Sequence, residues 1–150
     1  MVIASLLAVS LMVLTSFFHY KVLRWLSGGM GQFRMAPGVH VFVILLVTIA
    51  AHLIEIISYA VAYALGENVL GLGGFGGTAP TEPIDYLYFS IVSYTSLGIG
   101  DIFPSGHLRF VTGIEALNGL LLIAWTGSFI YIAMGRLWPW QHCEEPQSRD

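Results

Sequence analysis

Three long apolar runs govern what this chain can fold into. They cover residues 2–18, about 39–65 and about 108–137. Each reaches the length that crosses about 30 Å of hydrocarbon at about 1.5 Å rise per residue. An isolated span must satisfy its backbone polar groups within itself, which leaves the helix as the only conformation. The composition agrees. Charged residues make up 10% of the chain and hydrophobic residues 56%, whereas soluble domains carry about 25% charged residues. The first run has no Lys or Arg before it and no small-x-small cleavage site after it, so a retained helix is expected there rather than a cleaved leader.

Charge sets the expected orientation. Lys21, Arg24 and Arg34 fall between the first two runs, and Glu67, Glu82 and Asp85 between the second and third. Basic loops stay on the cytoplasmic side. A multi-pass protein of the cell membrane is expected, with its N-terminus and residues 66–85 outside and its C-terminus cytoplasmic. Arg136 agrees, and Trp25, Trp138 and Trp140 would form an inner aromatic belt. The net charge of −3 speaks against a nucleic-acid partner, which needs a basic face. The single cysteine, Cys143, can form no intrachain disulfide and has no partner for a metal motif. The chain divides into an N-terminal helix with a basic loop (1–37), a pore-like unit (38–137) and a short cytoplasmic tail (138–150).

Residues 84–94 are apolar but too short to span. Pro83 precedes them, and Asp85 lies in the first turn, where a carboxylate suits the positive helix end. A re-entrant helix is predicted. It runs into Thr95-Ser96-Leu97-Gly98-Ile99-Gly100-Asp101. A non-helical strip at membrane depth is tolerated only where it lines a water-filled path. A dehydrated cation needs oxygens in place of its water, and stacked rings of backbone carbonyls supply them. Successive carbonyls must then point the same way. Alternate residues must therefore be left-handed, a conformation that glycine adopts without steric cost.

The strip is similar to the potassium-channel signature Thr-Thr-Val-Gly-Tyr-Gly-Asp. From about residue 39 to 134 the chain resembles the small bacterial potassium channels with a two-helix pore domain, here with an extra N-terminal helix. The resemblance implies an all-α membrane protein: three transmembrane helices plus a re-entrant pore helix and selectivity filter, closed into a homotetramer in a lipid membrane. Ser96, Leu97, Gly98 and Ile99 would bind potassium ions through their carbonyls, Ser96 also through its hydroxyl. Gly100 would close the outer mouth, with Thr95 and Asp101 in support. No cofactor is implied, since potassium is the permeant ion, and no catalytic group is legible, so no enzyme is expected.

Three departures from the family pattern matter. Ile99 replaces tyrosine and removes a bracing phenol. Ser96 replaces threonine and loses the β-branch. Val92 stands where some relatives carry a glutamate. Tyr88 falls where the family often has a tryptophan bonded to the filter aspartate, and a contact from the Tyr88 hydroxyl to Asp101 is predicted.

Other residues carry open alternatives. His52 and Glu55 lie three apart on one helix face, and ionisable groups at membrane depth default to a functional reading. They would pair with each other or with the N-terminal helix, or form a proton or metal site. Glu115 reads either as a brace reaching Ser93 or Thr95, or as an interfacial charge. Asn118 would face the cavity, and Gly119 would be a hinge or a packing site, with Gly127 competing. His107 and Arg109 would anchor a helix end near the outer mouth, while His19 and His142 look interfacial. Residues 71–76 match GxGxxG, but no βαβ unit surrounds them, and a flexible turret is expected. The functional expectation is a potassium-conducting channel. The alternatives are a nonselective monovalent cation channel and, more remotely, a membrane protein binding a metal or haem through His52 and Glu55.

Overall fold

The computed structural model describes residues 1–29 and 36–137. Arg34, Trp138, Trp140, His142, Cys143 and the rest of the tail 138–150 lie outside the described residues. Four helices and two short strands follow in the order α1 (Val2–Gly29), α2 (Pro37–Asn68), β1 (Phe75–Gly77), α3 (Pro83–Tyr94), β2 (Ile102–Pro104) and α4 (Leu108–Leu137). Three of the helices, α1, α2 and α4, are long and apolar enough to cross a membrane. α3 is the predicted half-length helix, with 12 residues.

The first helix is longer than its apolar run. Its 28 residues amount to roughly 42 Å at 1.5 Å per residue. Lys21, Arg24 and Trp25 therefore sit on the last turns of α1, not in a loop as expected. Long basic stems let a helix continue past hydrocarbon while their heads reach water. The buried positions of α1 are Ala4, Ala8, Thr15, His19, Leu23 and Leu26, a stripe with helical periodicity. The alanines at its start permit close helix approach without bulky side chains.

α3 starts on a reciprocal cap. Pro83 occupies the first helical turn, and the Glu82 and Asp85 side chains each bond back to the other's backbone. The Asp85 carboxylate also accepts the Thr81 N–H at 2.8 Å and the Glu82 N–H at 3.0 Å. These N–H groups hold the exposed carboxyl below its ordinary value of 3.8. A carboxyl depressed by the fold contributes stability above its unfolded value and loses it as pH falls through the folded one. The cap is therefore intact at neutral pH and releases only in acid below about 3.8.

The glycine-rich segment is not a flexible turret. β1 pairs antiparallel with β2 in the register Phe75↔Pro104, Gly76↔Phe103, Gly77↔Ile102. The Thr78 N–H bonds to the Asp101 carbonyl at 2.9 Å. Gly77 has φ +79° and lies so close to that carbonyl that no Cβ fits. The glycines serve close backbone approach, which is why the segment reads as floppy in sequence yet packs tightly.

Gly119 resolves similarly. α4 runs unbroken through it, and a Cβ there would collide with the Tyr94 carbonyl, whereas nothing crowds Gly127 within 4 Å. Gly119 is a packing site between α4 and the end of α3. Gly119→Ala is expected to cost about 1–3 kcal/mol through overpacking, read as a lower melting temperature of the detergent-solubilised protein. An unchanged melting temperature would contradict this contact.

Candidate ion-conduction site

The strip begins where α3 ends. Thr95 caps the helix, its N–H bonded to the Ile91 carbonyl. The N–H groups of Ser96 and Leu97 bond back to Ser93 and Val92 at 2.9 Å each. Beyond them φ is positive at every second residue: +57° at Ser96, +60° at Gly98 and +84° at Gly100. That alternation is what carbonyls aligned on one side require. Glycine takes it freely, while a serine in this region costs about 1–2 kcal/mol. Residues 95–101 are exposed in the single chain, and nothing lies within 4 Å of the Cβ position at Gly98.

The Asp101 end of the strip is held on two sides. The Tyr88 hydroxyl donates to Asp101 Oδ2 at 2.9 Å, and Asp101 Oδ1 accepts the Ile102 N–H at 3.0 Å. The bond to Asp101 raises the Tyr88 hydroxyl above its usual range. Through Thr78 and the β1–β2 pair, the same aspartate is tied to the segment before α3.

Two buried carboxylates hold α3 from behind. Glu115 on α4 is fully buried. Its partners are not the expected Ser93 and Thr95. Tyr63 of α2 donates to Glu115 Oε2, and the Ser90 hydroxyl lies 2.5 Å from Oε1 and 2.9 Å from the Ile56 carbonyl. Ser90 precedes Ser93 by most of a turn and faces the α2–α4 seam, so it meets the carboxylate first. Glu115 is thus an internal tie and not an interfacial charge.

Glu55 forms the second tie. It lies 3.2 Å from His52 Nδ1, and the pairing extends to the N-terminal helix. His19 Nδ1 stands 2.9 Å from Glu55 Oε1, and Tyr94, the last residue of α3, donates to Glu55 Oε2 at 2.5 Å. His19 is completely buried and not interfacial as expected. The continuation of α1 to Gly29 carries it to membrane depth. Neither Tyr94 nor His19 stands out in the sequence. The available signal for His19 is its place on the stripe of Ala8, Thr15 and Leu23.

Asn118 does not face a cavity. Its Nδ2 donates to Thr15 Oγ1 at 2.8 Å and Tyr59 Oη at 3.2 Å, and its Oδ1 accepts from Ser16 at 3.0 Å. It joins α4 to α1 and α2, because a buried amide in an apolar setting must find partners.

Three spans, a half-length helix and a strip with alternating handedness at its end define an all-α membrane channel. Residues 40–136 match the family model described as "Ion channel". The match covers well over half of the chain, which belongs to this ion channel family. No curated protein and no solved structure matches the chain.

Tyr88→Phe tests the tie at Asp101. Losing one hydrogen bond worth about 0.5–1.5 kcal/mol should speed amide exchange at Ile102 by roughly two- to tenfold. Exchange at the wild-type rate would show that the phenol does not restrain the strip.

Proposed function

We propose that four copies of this chain enclose a central pore and conduct potassium ions passively across the cell membrane. The observation that carries this reading is the positive φ at Ser96, Gly98 and Gly100 in a strip that one chain leaves exposed. A single strip offers oxygen on one side only, so an ion shell needs several. In this reading the carbonyls of Ser96, Leu97, Gly98 and Ile99 replace the hydration shell, Gly100 opens to the outer mouth, and repulsion between neighbouring ions drives release. Thr95, Tyr88, Asp101 and Glu115 support the strip. The C-terminal end of α3 carries the negative pole of the helix and favours a cation below it.

Orientation follows from charge. Lys21 and Arg24 near the end of α1 and Arg136 near the end of α4 lie at the cytoplasmic side under the rule for basic flanks. The capped start of α3 and the β1–β2 pair then face outside. A nonselective monovalent cation channel is the second reading. It draws on Ile99, whose aliphatic side chain offers no hydroxyl to brace the strip.

The test is ion flux through purified protein in liposomes, driven by matched gradients of potassium or sodium. The expected result is potassium flux well above sodium flux. Equal fluxes would establish the nonselective reading, and no flux of either ion would overturn the proposal.

A further inference from the structure

The polar cluster that closes behind α3 holds more donor atoms than a helix tie requires. His19 from α1, His52 and Glu55 from α2, and Tyr94 from α3 converge there. The ligand atoms of the two histidines and the glutamate all lie within 4.8 Å of one another. Several pairs are closer still: His19 Nδ1 to Glu55 Oε1 at 2.9 Å, His52 Nδ1 to Glu55 Oε2 at 3.2 Å and His52 Nδ1 to Tyr94 Oη at 2.9 Å. A tetrahedral zinc-type ion with bonds of about 2.0–2.1 Å places its ligands about 3.3 Å apart. The cluster is therefore near the edge lengths of such a site.

A second observation concerns the far side of the two rings. His19 Nε2 and His52 Nε2 each lie 3.0 Å from Thr126 Oγ1 on α4. A histidine bound to a metal through one nitrogen carries its proton on the other and donates it to a nearby oxygen. Thr126 offers one oxygen with two lone pairs to two such N–H groups. With an ion on both Nδ1 atoms, each nitrogen of each ring has a partner. Both Nε2 atoms are thus placed on one oxygen acceptor, as a pair of metal-bound imidazoles needs.

We propose that His19, His52, Glu55 and Tyr94 form a four-coordinate site for a divalent transition metal of the zinc class, with Thr126 orienting both imidazoles. The imidazole nitrogens and one carboxylate oxygen are donors that such ions favour, and the Tyr94 phenol oxygen lies 2.9 Å from His52 Nδ1 to complete the set. The site adjoins the start of the strip through Tyr94 and differs from the proposed potassium positions in donor type, since those are carbonyl oxygens. A bound ion would fasten α1, α2 and α4 to Tyr94, the residue directly before Thr95, and so make the N-terminal helix part of what holds the strip. The inference stands independently of whether the chain conducts potassium or sodium.

The experiment is titration of the detergent-solubilised full chain with Co²⁺, whose visible absorption is intense only in four-coordinate geometry. A His142→Ala/Cys143→Ser background removes the competing donors of the tail. The expected result is a saturable band at one Co²⁺ per chain that Zn²⁺ displaces. His19→Ala or His52→Ala should abolish it. Thr126→Val, which keeps the shape of the side chain, should weaken binding about 10- to 100-fold. Absence of the band in the background protein would overturn the proposal and leave a proton-linked cluster only. So would a band that survives both histidine substitutions, or one that Thr126→Val leaves unchanged.

Discussion

The placement of α3 depends on two buried carboxylates. A half-length helix inside a membrane gains little from the hydrophobic effect against lipid, because lipid tails are as apolar as its own side chains. Polar ties must fix it instead. Glu115 engages Ser90 at the middle of α3, and Glu55 engages Tyr94 at its last residue. Each carboxylate belongs to a different spanning helix, so the half-helix is held against both. A hydrogen bond contributes about 0.5–1.5 kcal/mol, and stranding a buried partner costs about 1–3 kcal/mol. These ties outweigh the small preferences of α3 for any one apolar neighbour.

The strip inherits its position from these ties at one end and from Asp101 at the other. Tyr88 reaches Asp101 from within α3, and the β1–β2 pair reaches it from the loop before α3. Ser96 sits in the left-handed region at a cost of about 1–2 kcal/mol. Such a conformation persists only where the surroundings over-determine it. Ile99 contributes no polar brace of its own, so restraint of the strip comes from α3 and from its two ends.

Much of this was legible in the sequence, because apolar length and glycine spacing act locally. The three spans, the short helix after Pro83 and the need for left-handed residues at 98 and 100 all follow from such local rules. The contact from Tyr88 to Asp101 was reachable from the resemblance. What the sequence hid was partnership across helices. Glu115 could not be assigned to Ser90 over Ser93 without knowing which face of α3 turns to the seam. Asn118 looked like a cavity residue because nothing local shows that α1 supplies Thr15 and Ser16. His19 was misjudged because the apolar run ends at residue 18 while the helix continues. The glycines of 71–76 were read as loose because composition cannot distinguish freedom from close approach.

The most direct test of the account is potassium flux per unit of reconstituted protein for Glu115→Leu, which removes the Ser90 and Tyr63 partner while keeping bulk. Insertion into liposomes as for the wild type is expected, with a flux lower by about tenfold or more, the factor that about 1.4 kcal/mol of misplacement produces. Wild-type flux from this variant would contradict it, since the half-helix would then hold the strip in place without its carboxylate tie.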